Sequence, residues 1–558
     1  MSRSRNRRRR SQSRHVGRHQ QENRSHTQRA FAKMSLEALE ARTLLAADLA
    51  YPADPFDSLV TDFTLVAELN DDEPILRLLD TNSLNEIAAV PLDDPGDVTV
   101  SITRSNLPEA FGDTLRIDLN TFNVLDAFVS NNGGLLTIDF DGGLEVPFVS
   151  DDTVLVEGNG VYALNYGVQF DSTSAIALDV GSITLDGDFL VESDAAITLA
   201  TSNITADNIE LLATDSKIGE PDDDNLLNVL STPSAEVTIK DGQLNAGNIS
   251  IQAIASADVT IDMEELLEGS VTLGAAVAVV DAHVFIGGDA HLNASGNLMV
   301  QAISDVQTDV LRVPEDDQDE NDDDQTQDAA VASSVINSNS SVTITDEAQL
   351  VANGAVTINA NNQATVSTIA DGTLGSGDAG AILATTTIAG DTTVELSGQT
   401  SISATGAVNI SANSARSATT HAMATAEGAT EDGDNDTNTR TQEALEENNA
   451  ETSDGDVTLA AAVAVSSITG DTTTQIQGAS ITSTAGNILI ESDATYNAVT
   501  LADGTSATGS EGTGVGIGVG IGVVKGDATV QLGDATTLQA NAVLASSQVI
   551  DSLSQVDA

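Results

Sequence analysis

The side chains best spaced for chemistry lie in one acidic stretch. Asp432, Asp434, Asp436, Asn438 and Glu443 stand at positions 1, 3, 5, 7 and 12 of a twelve-residue window. That is the ligand spacing of a calcium-binding loop, in which hard oxygen donors at alternate positions converge on Ca²⁺. Position 6 is Thr437, where such a loop needs Gly for its sharp turn. Two readings stay open: a specific Ca²⁺ site on these five residues, or an acidic loop that attracts cations without fixed geometry. The histidines of the body, His283, His291 and His421, offer a second metal chemistry. His283 and His291 adjoin Val284 and Leu292, which alternation turns inward, so both imidazoles are expected on the surface. The sequence holds no nucleophile elbow, phosphate loop, dinucleotide fingerprint or zinc spacing.

The elements that carry these groups follow from composition. The chain has 558 residues, no Cys, no Trp, 4 Tyr and 11 Phe. After residue 190 the aromatics are Phe285 and Tyr496 alone. A core without aromatics must be thin, and thin cores suit stacked, quasi-one-dimensional folds. The formal net charge is -64, yet residues 1–42 carry 12 of the 21 Lys and Arg. The acidic body would repel phosphates, which argues against nucleic acid as a partner. No apolar run is long enough for a spanning helix. Gly512–Val524 alternates glycine with aliphatics and reads as a strand with one bare face.

A pattern recurs six times. Ser341–Ala360 (SVTITDEAQLVANGAVTINA) aligns without gaps on Thr393–Ala412 and His283–Ala302, with looser copies from Val237, Thr474 and Val530. Val342, Ile344, Leu350, Ala352, Val356, Ile358 and Ala360 are the expected inward positions. Three short strands in about twenty residues suggest one coil of a β-solenoid, and the longer anchor spacings then imply about two coils per unit. VTLGAAVAV (Val271–Val279) and VTLAAAVAV (Val457–Val465) mark the expected second coil. The repeated Gly296, Gly354 and Gly406 supply a corner where a side chain would clash or φ is positive. Ten to fifteen coils would make a rod roughly 50–70 Å long. Acidic inserts at 314–329 and 428–456 carry no hydrophobic pattern and are expected to loop out. The expected fold is therefore all-β, a parallel β-helix or β-solenoid with a disordered basic N-terminus and acidic loop insertions. Residues 1–50 form the basic segment, 51–180 an aromatic-bearing β region that caps and begins the stack, and 181–558 the repeats. Ala558 falls inside a repeat-like segment, which suggests a fragment of a longer protein or pairing through solenoid ends.

After the basic tract Arg7–Arg10, the residues Leu39, Glu40, Ala41, Arg42, Thr43, Leu44 and Leu45 resemble the LEPR-XLL motif, with Ala41 where Pro is usual. The resemblance covers roughly residues 1–50. It implies a very long, repeat-rich bacterial protein exported to the envelope or beyond. The later repeats more loosely resemble adhesins of the filamentous-haemagglutinin class. Three functions follow as expectations. The first is a secreted or cell-surface structural or adhesion protein, non-catalytic, whose partners are cell-surface or matrix components. The second is a calcium-responsive assembly module. The third is a polysaccharide-active β-helix enzyme, disfavoured because sugar platforms need aromatics. The basic residues that could hold an acidic polysaccharide are few: Lys240, Arg312, Arg416 and Lys525.

Overall fold

The computed structural model describes residues 45–51, 62–70, 73–92, 98–104, 114–129, 135–141, 153–219, 228–262, 271–312, 329–372, 379–426, 457–506 and 513–557. The chain divides into two units, Met1–Leu45 and Ala46–Ala558, and the architecture below is that of the second. The basic tract, most of the LEPR-XLL-like stretch and both acidic inserts lie outside the described residues, although Ala329 already opens a strand.

The second unit is a parallel β-solenoid. One turn can be followed from Ala329–Ile344 through the short strand Gln349–Ala352 to the long strand Val356–Gly372. The chain then returns through Ala379–Ala389 and Thr392–Leu396, which pair in parallel with Ala329–Ile344. Each turn thus contributes to three faces: a long-stranded sheet (sheet A), a second broad sheet (sheet B) and a narrow third face. Alternation dictates this. In Val356–Gly372 every second side chain from Val356 is buried, and the others face water.

The aligned motif copies lie directly above one another. Val237 pairs with Val284, Val284 with Val342, Val342 with Val394, Val394 with Thr474 and Thr474 with Val530. Each copy therefore occupies one coil, and this corrects the expectation of two coils per unit. VTLGAAVAV and VTLAAAVAV are not second coils. They are the leading halves of sheet B strands, Val271–Ile286 and Val457–Thr469. The twenty-residue motif covers only part of a turn, and the long sheet A strand supplies the remainder. The chosen inward positions, such as Leu350, Val356 and Ile358, are fully buried.

The recurring glycine of the motif is required by close approach. Gly354 N–H donates to the Gly296 carbonyl at 2.7 Å, and Gly406 N–H to that of Gly354 at 2.8 Å. A Cβ on Gly354 would lie 2.7 Å from the Gly296 oxygen, a distance no side chain tolerates without backbone movement.

The interior is wedge-shaped in composition. Near the motif it is filled by Val, Ile and Leu. Beyond it, where sheets A and B meet, Ala, Ser and Thr prevail: Ala330, Ala332 and Ser334 on one side, Ala364, Thr368 and Ala370 on the other. Parallel stacking reaches back to Val98–Arg104 in sheet A and Thr114–Asp118 in sheet B. An antiparallel meander, Asp62–Asn70, Glu73–Asp80 and Glu86–Pro91, adjoins that first sheet B strand. Aromatics gather here. Phe170 and Phe189 meet edge to face at 6.0 Å. The Tyr166 hydroxyl donates to the Phe122 carbonyl at 3.0 Å, and burial pushes its pKa up. The strand Thr114–Asp118 ends at Asp118, whose carboxylate caps a 3-10 turn, Leu119–Leu125.

Candidate functional site

The five proposed calcium ligands, Asp432, Asp434, Asp436, Asn438 and Glu443, lie outside the described residues. Among the described residues no group of three or more His, Asp or Glu is arranged to hold a metal. His283 and His291 sit outward and half-buried in sheet B and the narrow face, beside buried Val284 and Leu292. His283 Nδ1 is 2.6 Å from Ser341 Oγ on the next coil. Burial pushes its pKa down, against Glu236 and Asp281, which push it up. His421 faces outward on sheet A between Ile369 and Leu501.

The most chemically marked region is a corner of the solenoid. The Asn339 side-chain oxygen accepts from the Asp391 N–H at 2.9 Å, Asp391 Oδ1 from the Asp471 N–H at 2.9 Å, and Asp471 Oδ1 from the Asp527 N–H at 3.2 Å. Asn339 also donates to Asp281 at 2.7 Å. One Asp or Asn per coil thus ties each coil to the next, and Asp391, Asp471 and Asp527 are exposed. The local sequence is Gly-Asp-x-Thr: Gly390–Thr393, Gly470–Thr473 and Gly526–Thr529. That recurrence is the signal by which the ladder could have been found.

Behind the ladder lies Arg416, the largest fully buried side chain. Its guanidinium donates to the Gly390 carbonyl at 2.5 Å and the Gly470 carbonyl at 3.2 Å. Tyr496 pairs with it and donates to the same Gly470 oxygen at 2.8 Å. Gly390 and Gly470 have φ of 126° and 135°, a backbone that glycine adopts at little cost and that aims both carbonyls inward. Burial pushes the Arg416 pKa down, while Tyr496, Asp391 and Asp471 push it up. The cation offsets two stacked carboxylates from the inside of the wall. Arg416 is therefore unavailable as a surface contact for an acidic polysaccharide, and that expectation is corrected. Lys240 and Lys525 are exposed.

The small-residue half of the core holds a chain of hydroxyls. Thr368 donates to Ser334 at 2.7 Å, Thr386 to Thr368 at 2.8 Å, and Thr420 to Thr386 at 2.7 Å. Ser466 and Thr500 form the next pair. Columns of sheet A and sheet B alternate along this chain, and each link satisfies a group that would be costly if buried alone. Pattern reading missed these residues because Ser and Thr count as outward in a binary alternation.

Outward columns define the surface. On sheet A, Asp139, Asp171 and Glu192 lie in register on successive strands. Burial, then neighbouring Asp139 and Asp194, raise the pKa of Asp171, and burial with Asp171, Asp194 and Glu210 raises that of Glu192. A carboxylate whose folded pKa is raised destabilises the fold at neutral pH, and that penalty disappears as pH falls through the folded pKa. Acidification from pH 7 toward the ordinary carboxylate range is thus expected to raise the melting temperature first. Asp80 acts oppositely. Hydrogen bonds from Ser83 and Asn82 lower its pKa, so its contribution is lost only at more acid pH. Glu192→Gln is expected to stabilise the chain at pH 7 by about 0.2–1 kcal/mol, at the low end because the group is only half-buried and water screens its neighbours. A melt of this variant against pH should be flatter than that of the parent, and an equal slope would refute the assignment.

These observations define the second unit, over its described residues, as a parallel β-solenoid. Comparison with protein-family models, with curated proteins and with solved structures finds no match in any of the three. No helix among the described residues is long and apolar enough to cross a membrane.

Proposed function

We propose that this chain is a non-catalytic structural or adhesion protein, exported to the bacterial surface or matrix, where it presents an acidic β-solenoid to cell-surface or matrix components. One observation carries the reading: apart from shifts at Val180–Ser182 and Tyr496–Asn497 the coils stack in register, so that outward positions become columns repeated at the strand spacing of about 4.8 Å. Columns of Asn, Ser, Thr and Asp make an extended contact surface rather than a concave site. On sheet A, Asn413 donates to Asn359 at 3.0 Å and to Asn361 at 3.1 Å, which fixes polar groups across neighbouring coils. The LEPR-XLL-like residues support export. The spacing of Asp432, Asp434, Asp436, Asn438 and Glu443 supports a second reading, in which Ca²⁺ bound there stiffens or assembles the solenoid.

Purified full-length chain should sediment with bacterial envelope fractions and release no product from a panel of polysaccharides. New reducing ends or unsaturated products would overturn the non-catalytic reading. Thermal melts with and without millimolar Ca²⁺ test the second reading. A rise abolished by Asp432→Asn with Glu443→Gln supports it, and superimposable melts remove it.

A further inference from the structure

The outer surface of sheet B departs from the rest of the molecule. In the strand Thr513–Lys525 the glycines Gly516, Gly518, Gly520 and Gly522 pair with Ala460, Ala462, Ala464 and Ser466, all of which point into the core. The bare face of this strand is turned inward, and its valines and isoleucines are turned out. Val519, for example, is 39 % exposed and Ile521 47 %. This arrangement is inherited from earlier coils. Val331 pairs with Leu383, Leu383 with Val463 and Val463 with Val519. All four occupy outward positions: the neighbours of Val331, Leu383 and Val463 are buried Ala or Ile, and those of Val519 are Gly518 and Gly520. In the adjoining columns Val335 is 44 % exposed and Leu230 55 %. Val335, exposed, and Leu383 and Val463, half-buried, belong to coils stacked on both sides, so their outward placement is a property of the face.

The face is also free of charge. Among the described outward positions from Ala275 to Val523 in these columns there is no carboxylate, in a chain of net charge -64. The Asp281–Asn339–Asp391–Asp471–Asp527 ladder runs along one border and Lys525 stands at a corner. The same columns carry the hydroxyls of Ser333, Thr385, Thr387 and Ser467 among the aliphatics, so the centre is uncharged and largely aliphatic; with a charged rim, that is the anatomy of an interface.

We propose that two copies of this chain pack face to face through the outer surface of sheet B, forming a closed, two-fold symmetric dimer. The face is a regular sheet surface, and the surface that matches its column spacing is another copy of itself. Sheets so paired sit about 10 Å apart with interdigitated side chains. Three to four columns across five coils cover about 20 Å by about 24 Å. Pairing would bury roughly 500 Å² on each copy and roughly 1,000 Å² in total, the lower bound for a specific interface. No charge is desolvated, and an isologous contact closes on itself instead of growing into fibres. Other occupants fit less well. The acidic body repels anionic headgroups, and the face offers no aromatic platform for sugars. The dimer is weakened by long-range repulsion between the two copies, so salt strengthens it.

The test is sedimentation velocity of the full chain from 1 to 100 µM, in 0.15 M and 1 M NaCl. A monomer–dimer equilibrium shifted toward dimer at high salt is expected. Val463→Asp with Leu383→Asp sets like charges on register partners, so it should lower the melting temperature somewhat while leaving the far-UV spectrum of a folded β chain, and it should raise the dimer Kd at least about tenfold. Val463→Thr with Val465→Thr, which keeps β-branched strand formers, should weaken it in the same direction. A wild-type chain that stays monomeric at 100 µM in 1 M NaCl overturns the proposal. So does a dimer insensitive to both variants, which would assign association to another surface such as the ends of the stack. Flotation of a monomeric chain with phosphatidylcholine vesicles would overturn it in favour of a lipid surface.

Discussion

Replacing Arg416 by alanine is expected to lower stability by about 3–5 kcal/mol, the range found when one member of a buried charged network is removed. Three losses add. The Gly390 and Gly470 carbonyls lose the donors that meet them at 2.5 and 3.2 Å. The stacked Asp391 and Asp471 lose the cation behind them. The space left inside a wall pinned by coil-to-coil hydrogen bonds cannot collapse, so a cavity cost joins the transfer cost. Arg416→Met keeps most of the volume and should cost less than Arg416→Ala, though both remove the donor to the Gly390 carbonyl and leave Gly470 with Tyr496 alone. A solenoid need not unfold as one unit. Hydrogen exchange is therefore the better readout, with protection lost first in Val408–Ala426 and Ile488–Ser506, the strands that carry Arg416 and Tyr496. Unchanged protection there would mean that the guanidinium is a passenger.

The second large effect is expected at the apolar edge of the wedge. Ile358 lies in an inward column with Val300 above and Ile410 below, all fully buried. Ile358→Ala should cost about 2–5 kcal/mol. The upper part of that range applies, because strand spacing is fixed by the backbone ladder and neighbouring coils cannot close over the void. The adjacent Asn359→Ala, on the outward side of the same strand, should cost far less, since it removes hydrogen bonds already competing with water. A urea titration of the two variants measures the contrast. Equal losses would mean that the alternation assigned to this strand is wrong.

Much of this architecture was legible before the structure. Val342, Leu350, Val356 and Ile358 are apolar at alternate positions, and a strand with one wet face has no other use for them. The outward placement of His283 and His291 followed from the same rule. The size of the coil was not legible. Sheet A strands run on past the motif to as many as 19 residues, and in the two longest the inward positions are then Ala, Ser and Thr with Arg416 and Tyr496, which a hydrophobic pattern registers poorly. The small-residue interior also explains the reversed face of sheet B. Where the two sheets meet, Ala, Ser, Thr and Gly predominate among the inward positions, and many larger aliphatics of sheet B stand outside. Gly512–Val524 announced a bare face, and only the register with Ala460, Ala462 and Ala464 shows that it is the inner one. The acidic loop that carries the proposed calcium ligands falls outside the described residues, so its chemistry still rests on spacing alone.

The account depends on one motif copy making one coil, and the absence of cysteine from the chain allows a direct test. Asn359 and Ser411 are register partners on adjacent coils, with Ser411 Oγ donating to Asn359 Oδ1 at 3.1 Å, and Glu491 is the next residue of that column. Cysteines at 359 and 411 should oxidise to an intrachain disulfide, since adjacent strands lie about 4.8 Å apart and a disulfide spans Cα separations up to about 7 Å. Cysteines at 359 and 491 should not, being about 9.6 Å apart. Failure of the 359–411 pair to bridge, in a chain whose β spectrum is intact, would contradict the stacking described here.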